Sequence, residues 1–434
     1  NLGDYPNQSP NADEIPDVEL ELGQSVDFVL SGSDPDGDAT NFVLHQAPDG
    51  GEIHSYMPGS GVVAEYFLGG DTGIRGLAIS PDQKYAYLAD HTYGLKVLDI
   101  SDIKNPILVS QYAVDNGGQY NVAISNDGNT VYLASIQYGV QVIDVSNPLL
   151  PEIRSGFGRE GTAYPLGMIE SADGNTLYVA AYEFFLSIDV SDKTIVTQNF
   201  SVGTAGFYSW DIVLSPDEQI AFLASGPYIK IYDISDPMQA VLITDFVSSG
   251  DNDGDGTTDG TARSLRLSAD GNTLYVANGG EGTRIIDVSD ASAPQLLGYV
   301  PANDFVFGLG ISADGSMIYS SASNGELQTI DVTDPQNPVL VRTTPSVRDP
   351  WRLAASNDNK YVFVSDGYTG FKVIDTSYSA RAQGDPLSAD ITYKHIADLA
   401  VNDSFTFVLN DGKENSNDSV VSLIFAADKD GDGV

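Results

Sequence analysis

One short sequence motif occurs seven times along this chain. Its first copy, residues 77–82, reads Leu-Ala-Ile-Ser-Pro-Asp, and a strand-like run follows at residues 85–89. The serine of this phrase recurs at positions 80, 125, 171, 215, 268, 312 and 356, with gaps of 45, 46, 44, 53, 44 and 44 residues. Two further apolar runs complete each unit. Seven units of about 40–45 residues, each containing several short strands, predict an all-β fold with a seven-bladed β-propeller.

The strands of each unit are expected to run from the axis outward as a, b, c and d. In the first unit they are residues 76–80, 85–89, 95–100 and 107–112. The last unit, residues 351–377, has only three strand-like runs, whereas a spare run at residues 61–67 precedes the first unit. We therefore expect residues 61–67 to complete the last blade and close the ring, which removes open sheet edges. Residues 387–393 are the competing candidate for that position.

The third and fourth runs of the unit carry a family resemblance. Residues 94–101 read Gly-Leu-Lys-Val-Leu-Asp-Ile-Ser, and Asn105 and Pro106 form the following turn. This phrase and its later copies closely resemble the LVIVD repeats of bacterial and archaeal surface propellers, over about residues 61–377. The resemblance implies the fold and leaves the molecular role open.

The segments on either side of the repeats resemble two halves of one domain. Residues 18–22 and 25–30 alternate apolar and polar side chains, as half-buried strands do. Together with the turn at residues 32–38, they resemble the first half of the cadherin-like and Ig-like sandwiches of bacterial surface proteins. The second half of that pattern stands at residues 403–412 and 419–425. We expect a discontinuous β-sandwich interrupted by the propeller, since insertion is tolerated where the ends of the inserted domain lie close together. The expected units are sandwich residues 1–55, propeller residues 56–379 and sandwich residues 380–434.

The net charge and the cysteine content of the chain indicate which partners and which cellular location to expect. Lysine and arginine number 20 against 61 acidic residues, which gives a net charge of −41. Such a surface repels nucleic acid and anionic lipid, and no apolar run is long enough to span a membrane. The lack of cysteine fits a bacterial exported protein. The chain starts in a polar segment and stops inside an acidic motif, so we expect a piece of a longer protein located outside the cell, at the bacterial surface.

The 53-residue gap contains an acidic loop with the spacing of a calcium site. Its expected ligands are Asp251, Asp253, Asp255, Thr257 and Asp259. Oxygen ligands at alternate positions, with glycine at the sixth, suit a hard cation such as Ca²⁺. Position 12 is Ala262, so the glutamate of an EF-hand is missing, and the loop is more similar to those of thrombospondin type 3 repeats and dockerins. The alternative is a solvated acidic loop without metal.

Two other acidic runs are candidate calcium sites. The first comprises Asp34, Asp36 and Asp38, with Asp411 as a further ligand from the other half of the sandwich. The second comprises Asp428, Asp430 and Asp432, where the chain ends before the motif is complete. By contrast, the aspartates that recur in every unit, such as Asp82 and Asp99, are interpreted as turn residues that accept backbone N–H groups.

The loops before strand a and between strands b and c gather aromatic side chains and scarce arginines. The candidate ligand-binding residues there are Arg75, Tyr120, Tyr164, Trp210, Arg263, Phe307 and Trp351. Aromatic faces with a few arginine donors suit recognition of glycans or peptides. The alternative for Trp210, Phe307 and Trp351 is that they simply plug the central channel.

The sequence favours a non-enzymatic, calcium-stabilised adhesion or assembly module that binds a glycan or a surface protein. No catalytic residue is assigned. One alternative is a secreted propeller enzyme, a polysaccharide lyase or a lactonase, that uses tyrosine, arginine and His91. The other is a subunit of a surface filament, in which copies of the chain assemble with one another.

Overall fold

The computed structural model describes residues 9–16, 18–20, 25–33, 41–46, 51–56, 62–66, 73–114, 118–158, 164–248, 260–345, 349–367, 369–376, 387–395, 403–410 and 419–425. Every regular element in these residues is a β-strand, which confirms the expected all-β class. None of these residues belongs to a helix that could cross a membrane.

Thirty-six strands are present in the described residues. In chain order they are β1 (Asn11–Ala12), β2 (Val18–Leu20), β3 (Ser25–Ser33), β4 (Asn41–Gln46), β5 (Gly51–Tyr56), β6 (Val62–Tyr66), β7 (Ile74–Ile79), β8 (Tyr85–Asp90), β9 (Gly94–Asp99), β10 (Ile107–Ala113), β11 (Gln119–Ile124), β12 (Thr130–Ser135), β13 (Gly139–Asp144), β14 (Glu152–Phe157), β15 (Pro165–Glu170), β16 (Thr176–Ala181), β17 (Phe184–Asp189), β18 (Thr197–Gly203), β19 (Ser209–Leu214), β20 (Ile220–Ser225), β21 (Tyr228–Asp233), β22 (Val241–Val247), β23 (Ser264–Leu267), β24 (Thr273–Ala277), β25 (Thr283–Asp287), β26 (Gln295–Val300), β27 (Val306–Ile311), β28 (Met317–Ala322), β29 (Glu326–Asp331), β30 (Val339–Pro345), β31 (Pro350–Ala355), β32 (Tyr361–Asp366), β33 (Gly370–Asp375), β34 (Leu387–His395), β35 (Asp403–Asn410) and β36 (Ser419–Phe425).

Seven antiparallel blades form the predicted β-propeller. Strands β7 to β30 make the first six blades, four consecutive strands to a blade, and β31, β32, β33 and β6 make the seventh. The pairing of β6 with β33, with Ala64 opposite Val373, confirms the predicted closing strand. The competing run belongs to β34, which pairs with β5 and β3 instead.

A buried ion cluster accompanies this closure. The ammonium of Lys372 on β33 lies 3.3 Å from Glu65 on β6 and 3.7 Å from Asp366 on β32. Burial opposes the charge of Lys372, but the two carboxylates outweigh it and raise the pKa of the ammonium. The first and last parts of the propeller sequence are therefore joined by charge as well as by the β-ladder.

The core lies between neighbouring blades. Strands b and c carry apolar side chains on both faces because each blade is covered by a blade on either side. Seven hydrophobic clusters result, each shared by two adjacent blades, and one of them joins the seventh blade to the first. The ring is thus closed by packing at every interface.

The repeated Ser-x-Asp phrase forms the turn between strands a and b. In the first blade the Ser80 hydroxyl donates to Asp82 (2.7 Å) and accepts the backbone N–H of Tyr85 (2.9 Å). The same serine-to-aspartate bond occurs in the other six blades, at 2.5–2.6 Å. Asp99 likewise accepts the N–H of Ser101 (2.8 Å). The interpretation of these recurring aspartates as turn residues is confirmed.

The flanking segments pair with one another beyond the seventh blade. Its sheet continues outward through β5, β34, β3 and β1, while β2, β36, β35 and β4 form a separate sheet. The hydroxyl of Ser419 on β36 donates to the carbonyl of Asp13 (2.7 Å). Strands from before and after the propeller therefore share both sheets. The expected Ig-like sandwich and the three unit boundaries stay predictions.

Candidate functional site

One residue from each blade lines a depression on the propeller axis, here called the axial pocket. The seven residues are Arg75, Tyr120, Leu166, Trp210, Arg263, Phe307 and Trp351, and Arg352 adds a second side chain from the seventh blade. The pocket opens to solvent, and its cavity volume is about 20 Å³, room for about one water molecule. Six of the seven expected ligand-binding residues meet here. Tyr164 is not among the lining residues, and Leu166 takes the place of the third blade.

A β-bulge aims each pocket residue at the axis in six of the seven blades. The pairing between strands a and b skips one residue, for example between Ile74 and Gly76 in the first blade. The skipped residues are Arg75, Tyr120, Leu166, Trp210, Phe307 and Trp351. Such bulges re-aim a side chain out of the regular ladder. In the fifth blade, Arg263 directly precedes β23 and donates its N–H to Ala277 (2.9 Å).

Small residues next to the bulges let the inner strands approach closely. A Cβ atom built on Gly76 would lie 2.7 Å from the Cα of Asn121, and one on Gly167 would lie 2.7 Å from the Cα of Asp211. Real Cβ atoms do not approach other atoms so closely, so these positions require glycine. The inner strands of neighbouring blades therefore lie in close contact beside the pocket residues.

Two arginines lie over aromatic rings in the pocket wall. The guanidinium of Arg75 is 4.4 Å from the ring centre of Tyr120 and 5.1 Å from that of Trp351. The guanidinium of Arg263 is 3.9 Å from the ring centre of Trp210. Cation–π contacts of this kind contribute about 0.5–2 kcal/mol each. Each cation is therefore held by ring faces, with its N–H edge left for other partners.

Neither arginine has a carboxylate partner in the described part of the chain. Within those residues, the guanidinium groups of Arg75 and Arg263 form no ion pair and no hydrogen bond, and the buried Nε of Arg263 has no acceptor. Burial lowers the pKa of Arg263 to about 10, because the charged form loses hydration. The guanidinium still carries its charge at neutral pH.

A polar cluster adjoins the pocket through Arg352. The Asp211 carboxylate accepts hydrogen bonds from the Ser264 hydroxyl (2.9 Å), the Leu265 N–H (3.0 Å) and Arg352 (3.2 Å). Arg266 lies 3.6 Å from the same oxygen, and burial lowers the pKa of Arg266. This cluster joins the fourth, fifth and seventh blades. Asp211 and Arg266 were not expected from the sequence, where a single acid or base carries no sign of its partner across the ring.

Tyrosines extend the aromatic surface outward over the third and fourth blades. Tyr208 stacks on Trp210 with ring centres 5.6 Å apart, Tyr182 contacts Tyr208 edge-on at 4.0 Å, and Tyr164 contacts Tyr182 at 5.8 Å. A hydrogen bond to Tyr208 raises the pKa of Tyr182. We call Tyr164, Tyr182 and Tyr208 the tyrosine ladder. Tyr164 therefore continues the axial pocket instead of lining it.

His91 lies beside the pocket without lining it. Its ring meets Tyr120 edge-on at 5.5 Å, and its Nδ1 lies 3.3 Å from the carbonyl oxygen of Gln119. Burial, together with the charge of Arg75, lowers the pKa of His91. The charged imidazolium is thus disfavoured at this position.

The predicted calcium ligands lie outside the described residues. They are Asp34, Asp36, Asp38, Asp251, Asp253, Asp255, Thr257, Asp259, Asp411, Asp428, Asp430 and Asp432. Elsewhere, in the residues with described positions, no group of three acidic or histidine side chains is arranged to hold a metal ion. The calcium sites stay predictions.

Sequence similarity supports the repeat assignment. The LVIVD repeat family matches residues 76–114, 117–154 and 259–301, which fall in the first, second and fifth blades. The chain contains LVIVD repeats. No curated protein matches the sequence.

Solved structures support the propeller fold. A protein from Lactobacillus plantarum has a TM-score of 0.57 and 18% identity, covering 63% of this chain and 85% of its own. The Cps50 (Swd1) propeller domain of Myceliophteria thermophila has a TM-score of 0.56 and 13% identity, covering 72% and 99%. The periplasmic gluconolactonase PpgL of Pseudomonas aeruginosa has a TM-score of 0.56 and 12% identity, covering 77% and 100%. At these identities the likeness concerns the fold alone.

Proposed function

We propose that this chain is a non-enzymatic binding module of a bacterial surface protein, which binds a glycan or protein ligand over the axial pocket, with a polar group of that ligand inside. The observation that carries the proposal is the pocket wall, where Arg75 and Arg263 lie on aromatic faces without an acidic partner among the described residues. Ring faces bind apolar ligand surfaces, and the guanidinium edges supply directed donors. The pocket thus combines apolar contact with directed hydrogen bonding.

The proposal also covers the domain and the calcium loops that surround the propeller. Strands from both chain ends pair in two sheets beside the seventh blade, which supports a discontinuous cadherin-like or Ig-like sandwich carrying the propeller. Bound Ca²⁺ stabilises the acidic loops, in particular residues 251–259, which lead into strand a of the fifth blade. An extracellular location supplies this cation. Self-assembly through the sandwich into a surface filament is the alternative form of the proposal.

An enzymatic role would require His91 to act beside Arg75 and Tyr120. The gluconolactonase neighbour shares this fold and is the reason to test that alternative directly. The geometry favours binding, because Nδ1 of His91 faces the Gln119 carbonyl and the pocket lining comprises arginine, aromatic and leucine side chains. A general acid or base has to lie within hydrogen-bond reach of the reacting group.

The proposal is tested with a glycan array and a protein-interaction screen. Assays for lactone hydrolysis and polysaccharide cleavage are run in parallel. Trp210→Ala should weaken binding of any array ligand by about 30-fold or more, since central aromatic side chains of a binding site often contribute about 2 kcal/mol. Tyr299→Ala is the matched control, because Tyr299 is 44% exposed and lies on the outer strand of the fifth blade. Unchanged binding by Trp210→Ala, or turnover that His91→Gln abolishes, would show that the proposal is wrong.

A further inference from the structure

Positive charge is concentrated at the axis of a strongly acidic chain. Four of its ten arginines (Arg75, Arg263, Arg266 and Arg352) lie there with two carboxylates, Asp211 and Asp349, of which Asp349 accepts the indole N–H of Trp351 (3.0 Å); the local charge is 4 − 2 = +2 among these residues. The whole chain carries −41. Walls of low dielectric strengthen the field of such a site, so the pocket attracts anions although the surface as a whole repels them.

Arg75 and Arg263 differ from most basic residues of the described chain, which, like the third pocket arginine Arg352, are paired. Those with an ion pair are Lys84, Lys96, Arg154, Lys193, Lys230, Arg266, Arg284, Arg352, Lys360 and Lys372. With 61 acidic residues in the sequence, partners are abundant. Arg75 and Arg263 instead present N–H edges that have no partner among the described residues. A guanidinium in this state is suited to a carboxylate, which can accept two parallel hydrogen bonds.

We infer that the ligand is an acidic glycan, whose carboxylate binds Arg75 and Arg263 and whose neighbouring sugar rings lie along the tyrosine ladder. This inference rests on the proposed binding function. A uronic acid unit combines the three features that the surface matches. Its carboxylate meets the guanidinium edges, and its hydroxyls reach the phenol groups. The C–H face of its ring packs on the exposed Tyr208, since Arg263 already covers Trp210.

The ladder favours a glycan chain over an acidic peptide. Trp210, Tyr208, Tyr182 and Tyr164 form one unbroken series of ring contacts from the pocket wall onto the surface, and Tyr208 is 45% exposed. Successive aromatic rings with hydroxyl groups offer the same chemistry at each step. A chain of similar sugar units can use every step, whereas an acidic peptide would need further cations along the path.

Titration calorimetry on the full chain tests the inference. The probes are the trisaccharides of galacturonate and of mannuronate, with their methyl esters as neutral counterparts. The parent protein should bind at least one acidic trisaccharide about tenfold or more tightly than its ester, because a hydrogen bond to a charged group contributes about that much. Arg263→Gln and Arg75→Gln should each reduce this preference. Arg154→Gln, which changes an exposed arginine of the second blade, should leave it unchanged.

A second variant separates the ladder from the anion site. Tyr182→Ala should weaken binding of the acidic trisaccharide and of its ester by the same factor, about threefold to tenfold. The preference for the acid should stay the same. Equal binding of acid and ester would overturn the anionic ligand while leaving the aromatic pocket as a binding site. Binding of hexaglutamate with loss in Arg263→Gln, and no binding of the four trisaccharide probes, would overturn the glycan in favour of an acidic peptide. Loss of array ligands in Trp210→Ala remains the separate test of the proposed function.

Discussion

Replacing Asp211 with alanine should destabilise the propeller more than any single change at its surface. The carboxylate is 11% exposed and serves four groups from the fifth and seventh blades. Its loss leaves the Leu265 N–H without its acceptor and two buried guanidinium groups without their carboxylate, with only backbone carbonyls as partners of Arg266 and Arg352. Removing one member of a buried ion pair costs about 3–5 kcal/mol, and we take about 4 kcal/mol as the expected loss. For a cooperative unit of roughly 300 residues, this lowers Tm by about 6 °C.

Urea denaturation and differential scanning calorimetry measure this effect. Asp211→Asn retains an acceptor for Leu265 and Ser264 and should lose less than Asp211→Ala. Arg154→Ala is the matched surface control, since it breaks a pair that is 43% exposed on the arginine side and should cost about 1 kcal/mol or less. A melting temperature within 1 °C of the parent for Asp211→Ala, or an equal loss in the surface control, would refute the argument that this cluster joins the blades.

Three further predictions follow from the fold and the sequence. Deleting residues 1–68 removes β6 and the Glu65 partner of Lys372, so the thermal transition seen by circular dichroism should lose its cooperativity; a parent-like melt would contradict the closure. The hydroxyl of Ser80 is the largest cause that lowers the pKa of Asp82 below 3.8, so the stability from this turn is present above that pH and lost as the pH falls through the folded pKa. In Ser80→Ala, NMR titration should show this pKa rising. Asp253→Ala combined with Asp255→Ala should remove one calorimetric Ca²⁺ site, and an unchanged count would show that the loop is only acidic.

The blade count and the closing strand could be predicted because both depend on short sequence patterns that repeat in every blade. The serines at 80, 125 and their later counterparts mark one turn per blade, and each turn is held by bonds within five residues. Because one strand is left over before the first blade and one is missing from the last, the simplest ring is closed by pairing β6 with β33. The inner residues could be placed on one face because every inner strand starts at the same end of the ring.

The arrangement within the pocket could not be predicted, since it depends on pairing and on contacts across the ring. Arg352 and Asp211 are 141 positions apart in the sequence and meet only because the ring closes. The bulge that turns Leu166 inward is a shift in register, and Leu166 resembles an ordinary core residue in the sequence. The extension of the seventh sheet through β5 and β34 likewise joins distant segments whose alternating patterns fit more than one partner.

The turn residues are the same in every blade, whereas the residues at the bulged positions vary from blade to blade. The Ser-x-Asp turn is the same in all seven blades, because each blade needs the same bond to its own backbone. The bulged positions lie outside the ladder, so the side chain there is not constrained by strand pairing. In ring order, they and Arg263 carry arginine, tyrosine, leucine, tryptophan, arginine, phenylalanine and tryptophan. A surface with seven related backbones and five kinds of side chain matches a ligand that has no sevenfold symmetry. The proposed ligand would contact the fourth and fifth blades through the pair of Arg263 and Trp210, and the first and seventh through the pair of Arg75 and Trp351, so its affinity should depend on the ring being closed.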